Sequence, residues 1–276
     1  MFEGRDEITV IQEDIRRAMA NPNAKWAMLI DLRRCTSCKA CTAGCVAEQK
    51  SPPGVMYRPV FEEETGRFPS VKRRFTPRPC LQCDEPPCVD ACPNKGENKA
   101  TWKGKNGIVM INYEQCIGCG RCVIACPYKA RTLDEGYFHT EGTPAIQEYE
   151  KAPTWEYARK WPREKSHIPI KNARKCHFCY HRLKNGMVPM CVSTCICRAN
   201  FFGDAGDKDS LIYKMIKSNK VSVLTAVKSP GEVKLTNAEL KSKSPGFIAS
   251  AIGYPGSIPV FADSSKTKPR VFYILP

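Results

Sequence analysis

Cys116-Ile-Gly-Cys119-Gly-Arg-Cys122-Val-Ile-Ala-Cys126-Pro127 sets four cysteines at spacings x2, x2 and x3 and ends on proline. Cys35, Cys38, Cys41 and Cys45 keep the same spacing. Two further quartets differ in the middle: Cys80, Cys83, Cys88 and Cys92 run x2, x4, x3, and Cys176, Cys179, Cys191 and Cys195 run x2, x11, x3. Of the 17 cysteines only Cys197 falls outside a quartet. A disulfide framework has no need of four quartets that each end in C-x3-C. Structural zinc also uses C-x2-C pairs, but it needs two pairs facing one tetrahedral ion and has no use for three cysteines in one short loop. Such a loop suits one corner of a cubane [4Fe–4S] cluster. The fourth cysteine, expected to start a helix, is carried to a second cube, so these motifs work in pairs. Proline after Cys92 and Cys126 fits that helix start.

Working outward, the chain repeats itself. Ala27 to Cys35 lines up with Ile108 to Cys116 at an offset of 81 residues, which all four cysteines of both quartets share. Each copy reads as a short apolar strand, a turn and a cysteine loop. The other two quartets form a second type, so the two types alternate along the chain. The expected fold class is α+β, with two bacterial-ferredoxin-like modules of βαβ-type halves. Spacing alone does not say which quartets share a module.

Residues 27–45, 78–93 (RPCLQCDEPPCVDACP), 107–127, 175–204 and 268–273 (KPRVFY) resemble the four-cluster ferredoxin-type electron-transfer subunits of molybdopterin oxidoreductases. These are the iron–sulfur subunits of polysulfide, thiosulfate, tetrathionate, arsenate and dimethyl sulfoxide reductases and of respiratory formate dehydrogenases. The resemblance implies that the modules interleave, the first quartet pairing with the fourth and the second with the third. It implies four [4Fe–4S] clusters: cluster 1 on Cys35, Cys38, Cys41 and Cys195; cluster 2 on Cys45, Cys176, Cys179 and Cys191; cluster 3 on Cys80, Cys83, Cys88 and Cys126; cluster 4 on Cys92, Cys116, Cys119 and Cys122. The expected domains are 1–69 with 170–204, a nested module at 70–139, a linker at 140–169, and an irregular docking extension at 205–276. The expected partners are a molybdopterin catalytic subunit and a membrane-anchor or other redox subunit, with no nucleic acid and no membrane span in this chain. One departure stands out: the proline usual after Cys195 is Ile196, with Cys197 next. The x3 spacing favours Cys195 as ligand and leaves Cys197 as a buried structural thiol.

Composition fits a conductor of electrons better than its rivals. The formal charge is +15, from 43 basic and 28 acidic side chains, which invites a nucleic-acid reading. Four clusters of about −2 each would bring it to roughly +7, so much of the excess can balance buried negative charge. Trp155, Tyr157 and Trp161 among basic residues in 140–171 read either as a protein interface or as a loop packing on its own core. Residues 209–217 read as a short amphipathic helix opened by Asp-Ser, 221–227 as a strand, and 230–245 as a surface excursion. His177, between two ligand cysteines, reads as a loop residue that could tune a cluster through a hydrogen bond to sulfur. No apolar run follows Arg16-Arg17, so no signal is read, and the chain is expected to be cytoplasmic or exported with a partner. No catalytic constellation is found. The competing readings are a free polyferredoxin and a zinc-based nucleic-acid-binding module.

Overall fold

The computed structural model describes residues 4–228 and 257–276. The excursion expected at 230–245 lies outside these. In chain order the elements open with α1 (Glu7–Ala18), β1 (Trp26–Asp31), α2 (Ala40–Gln49), β2 (Val60–Thr65), β3 (Lys72–Pro77), α3 (Pro87–Asp90), β4 (Thr101–Lys103), β5 (Val109–Ile111), α4 (Arg121–Ile124) and β6 (Arg131–Leu133). There follow α5 (Glu148–Lys151), β7 (Thr154–Glu156), β8 (Arg159–Trp161), β9 (Ala173–Lys175), α6 (Tyr180–Leu183), α7 (Met190–Ser193), β10 (Asn200–Asp204), α8 (Leu211–Ser218), β11 (Ser222–Lys228), β12 (Ile258–Ala262) and β13 (Val271–Ile274). Helices and strands mix throughout, in one larger sheet and several two-stranded ones.

The larger sheet has the order β10-β1-β13-β11-β12. All six residues of β1 (WAMLID) are buried, as expected of a strand flanked on both sides and covered on both faces. It pairs antiparallel with β10, Trp26 opposite Asp204, and parallel with β13, Met28 opposite Val271. Ile11, Ile15 and Ala18 form the buried stripe of α1, which packs on β10. The helix expected at 209–217 is α8. Ser210 caps it, its side chain accepting from the Tyr213 N–H, and Leu211 and Ile212 are buried.

The expected irregularity of the 205–276 extension is corrected in its described part. Residues 257–276 form β12 and β13, and β13 sits inside the sheet with Val271, Tyr273 and Ile274 buried. The prolines misled. Pro259 lies on the edge strand β12, where a missing N–H is tolerated, and Pro269 falls just before β13.

The smaller sheets carry the cysteine loops. β4 pairs with β5 and β6 with β9, all antiparallel. A buried charge network anchors the segment from 134 to 174. Arg174 donates to Asp134 at 2.7 Å and also to Glu156, Arg163 donates to Asp134 at 2.6 Å, and the Tyr57 and Tyr113 hydroxyls donate to Glu156. Tyr113 meets Tyr157 and Trp161 edge-on at 5.7 and 5.1 Å. Of the interleaved aromatics, then, Tyr157 and Trp161 pack on the core while Trp155 stays 51% exposed.

Candidate functional site

The four cysteine loops share one backbone device. In each, the second residue between the first two cysteines is left-handed: Ser37 (φ 58°), Gln82 (φ 49°), Gly118 (φ 67°) and Phe178 (φ 56°). A left-handed residue at such a turn aims successive N–H groups into one concavity, the kind of nest found at anion and iron–sulfur sites. For a bulky residue like Phe178 this conformation is uncommon and marks functional strain. At Gly118 a Cβ would also collide with the Lys171 carbonyl. A short helix begins one residue before the third cysteine of every quartet, at Ala40, Pro87, Arg121 and Met190. This corrects the expected helix start at the fourth cysteine. Cys45 lies within α2, whereas Cys92, Cys126 and Cys195 lie just beyond their one-turn helices. α2 packs on α7 and α3 on α4. Gly44 permits the first approach, since a Cβ there would lie 2.8 Å from Thr194 Cγ2.

None of the seventeen cysteines is paired in a disulfide. Cys35, Cys38, Cys41 and Cys195 line one cavity, together with Cys197. Cys92, Cys116, Cys119 and Cys122 line another, with Arg131. Burial, reinforced by Cys179, Cys176 and Cys191, holds the Cys45 thiol well above its ordinary range. Burial and the neighbouring Cys80, Cys126 and Cys88 push Cys83 up to about 12. Buried thiols of this kind keep their protons until a multivalent cation core takes the sulfur.

Backbone donors already point at several sulfurs. Phe178 N–H donates to Cys176 Sγ and Ala173 N–H to Cys116 Sγ, both at 3.4 Å. Ala130 N–H donates to Cys126 Sγ at 3.4 Å and Ala199 N–H to Cys195 Sγ at 3.2 Å. Cys126 and Cys195 therefore sit in the same turn, each with a left-handed residue three positions on, Lys129 and Arg198. Cys197, expected to be buried, is instead partly exposed, 3.4 Å from Thr36 Oγ1. His177 is more than a loop residue. It is 1% exposed, its Nε2 lies 3.0 Å from Gln49 Oε1, and Gln49 Nε2 donates to Cys179 Sγ at 3.3 Å.

Exposure is graded along the set. Cys38 and Cys119 are exposed, while Cys45, Cys80, Cys83, Cys88, Cys126, Cys176, Cys179 and Cys191 are all buried. Ile196 stands beside the first cavity and Ile117 in the wall of the other, exposed to 71% and 67%. Basic residues that spacing did not single out lie among the buried thiols: Arg58, Arg78, Arg131 and Lys175. Several of their nitrogens have no hydrogen-bond partner, Arg58 Nε, Arg131 Nε and all three of Arg78 among them. Buried donors left over in this way, beside thiol-lined cavities, fit an anionic group with many acceptor sulfurs. A cavity of about 260 Å³ lined by Val46, Tyr137, Phe138 and Tyr149 contains no cysteine.

Comparison with known proteins gives the same chemistry. Residues 71–141 and 159–205 match the family described as 4Fe-4S dicluster domain. The chain is 53% identical over 219 residues to a selenate reductase subunit of Mesobacillus selenatarsenatis, covering 78% of this chain and 74% of that one. It is 33% identical to a tetrathionate reductase subunit of Salmonella typhimurium, over 75% of this chain and 69% of that one. It is 31% identical to the arsenate respiratory reductase iron-sulfur subunit of a Shewanella species, over 71% of this chain and 88% of that one.

Proposed function

Because the chain belongs to the iron–sulfur, electron-transfer subunits of molybdopterin oxidoreductases, we propose that it relays single electrons through four [4Fe–4S] clusters between a molybdopterin catalytic subunit and a second redox partner. The proposed ligand sets are Cys35, Cys38, Cys41 and Cys195; Cys45, Cys176, Cys179 and Cys191; Cys80, Cys83, Cys88 and Cys126; and Cys92, Cys116, Cys119 and Cys122. When bound, the clusters supply reversible one-electron redox chemistry at potentials set by charge, hydrogen bonding and exposure. The residues of the chain hold the sulfurs, exclude water from the two inner sets and leave the two outer sets open to partners. The second partner is a membrane-anchor or other redox subunit. The catalytic subunit is an oxyanion reductase of the selenate kind, a reading supported by the 53% identity. No described helix is long and apolar enough to cross a membrane.

The single observation that carries the relay is graded exposure: Cys38 and Cys119 are exposed, whereas every cysteine of the other two proposed sets is buried. Interleaved modules, 1–69 with 170–204 around 70–139, are supported by the pairing of β1 with β10 and of α2 with α7 across those boundaries. The zinc reading is separated by metal analysis and colour, since it requires a colourless protein holding zinc where the relay requires a brown one holding iron. The free-carrier reading is separated by native mass of the purified complex. Anaerobic iron and sulfide analysis should give about four cubanes per chain. A count near two, or a three-iron EPR signal from unoxidised protein, would sink the four-cluster reading. Cys45→Ser tests the pairing. It should damage the cluster on Cys176, Cys179 and Cys191 and spare the one on Cys35, Cys38 and Cys41.

A further inference from the structure

Three of the largest fully buried side chains are arginines placed among the cysteines: Arg58 (1% exposed), Arg78 (0%) and Arg131 (2%). Their neighbours follow a pattern. The thiols that bear most on Arg58 are Cys191 and Cys41. Those on Arg78 are Cys126, Cys80 and Cys176. Those on Arg131 are Cys88, Cys122 and Cys80. With the ligand sets proposed above, on which this step rests, Arg58 stands between clusters 1 and 2, Arg78 between 2 and 3, and Arg131 between 3 and 4.

The guanidinium groups are held but not satisfied. Arg58 donates to Met28 Sδ at 2.9 Å and to Asn200 Oδ1, and its Nε is left over. Arg131 donates to Thr101 Oγ1 at 2.9 Å and its Nε is left over. Arg78 lies 5.6 Å over the Phe61 ring and none of its three nitrogens has a hydrogen-bond partner. An always-charged guanidinium sealed from water without an anion is among the most costly arrangements in a protein. Elsewhere in this chain the fully buried Arg174 is paired with two carboxylates. No carboxylate pairs with Arg58, Arg78 or Arg131 among the described ion pairs.

We propose that Arg58, Arg78 and Arg131 are fixed cations seated one at each junction between successive clusters, where each stabilises the reduced form of both clusters it faces. Reduction adds one electron and no proton to the pair, because arginine keeps its proton throughout. The added negative charge is met by a cation already in place, in a medium where charges are felt strongly. The arginines thus raise the potentials of both neighbours while forming no bond to iron. Lys175, 0% exposed and near Cys80 and Cys176, is a second basic side chain at the middle junction, so the outer junctions are the cleaner test.

The test is an EPR-monitored redox titration of the assembled complex, its signals assigned by one Cys→Ser variant per ligand set. Arg58→Met should lower the midpoints of clusters 1 and 2 by at least tenfold in the reduced-to-oxidised ratio, about 59 mV for one electron, and leave 3 and 4 in place. Arg131→Met should do the converse, and the Lys variants should restore most of each shift. Full iron with unmoved midpoints, or all four signals moving alike, overturns the proposal, as does an equal shift in Met and Lys variants. If a Met variant loses iron only from its two clusters and the Lys variant keeps it, the charge is needed and the proposal stands. If both lose it, the proposal falls. Should a pair move that does not fit the assignment, the ligand sets are wrong while the charge effect holds; too little iron in the unsubstituted chain sinks the four-cluster reading separately.

Discussion

Cys195 and Cys197 are two residues apart and line the same cavity, and the turn around them favours Cys195 as the proposed ligand. The Ala199 N–H bond to Cys195 Sγ matches the Ala130 bond to Cys126 Sγ, whereas Cys197 only meets Thr36. Cys197→Ala should therefore keep all the iron, and Cys195→Ala should lose or convert the cluster on Cys35, Cys38 and Cys41. Iron analysis with EPR reads both, and cluster loss in the Cys197 variant would reverse the assignment. The glycines of the third loop give a graded case. Both Gly118 and Gly120 have positive φ, but only Gly118 abuts a backbone carbonyl, while a Cβ at Gly120 would meet Leu133 Cδ1 at an ordinary 3.6 Å. Gly120→Ala should cost about 1–2 kcal/mol and Gly118→Ala clearly more, measured by denaturation of the loaded protein. Single residues were unequally legible in the sequence. The quartets announce themselves because a loop can wrap a cube only at certain spacings. Arg58, Arg131 and Gln49 carry no local signal, since only tertiary packing brings them to sulfur, and Arg78, though two residues before Cys80, gives no sign in the sequence that it is buried.

At the scale of elements, strands β1 and β5 were readable as copies of one unit, and the agreement reaches the backbone. Ser37 and Lys39 are left-handed, and 81 residues on stand Gly118 and Gly120. Helix starts were less legible, because proline after Cys92 and Cys126 suggested a beginning where the structure has an end. The helix α8 was readable from its cap. Ser210 Oγ accepts from Tyr213 N–H at 3.2 Å and donates to the Asp204 carbonyl at 2.7 Å, while Asp14 accepts from Leu211 N–H at 2.7 Å. Ser210→Ala should cost about 1 kcal/mol, seen as a lower urea midpoint with unchanged iron. A loss of iron instead would mean that α8 supports the cysteine loops directly.

Across the whole molecule, the basic excess finds a use inside as well as outside: Arg58, Arg78, Arg131 and Lys175 are buried among the thiols. The burial gradient also predicts how the loaded protein fails. On exposure to a chelator or to oxygen, bleaching should be biphasic, with the sets containing Cys38 and Cys119 lost first. Uniform loss of all four signals would mean that the inner sets are as open as the outer ones. The larger topology was the least legible level, because β13 joins β1 across some 240 residues of sequence and nothing local specifies that partner.

That parallel pairing has a consequence in time. Of the described elements β13 is translated last, yet it lies between β1 and β11. The residues leading into it also latch the second cysteine loop: Asp84 N–H donates to the Lys268 carbonyl at 2.9 Å, and Arg270 N–H to the Leu81 carbonyl at 2.9 Å. Until β13 has been made, β1 keeps a bare edge and the loop around Cys83 lacks these two hydrogen bonds. Emergence of β13 then closes that edge and fastens the loop. A chain terminated after Ala262 should accept iron transiently but hold it poorly and aggregate through the bare edge.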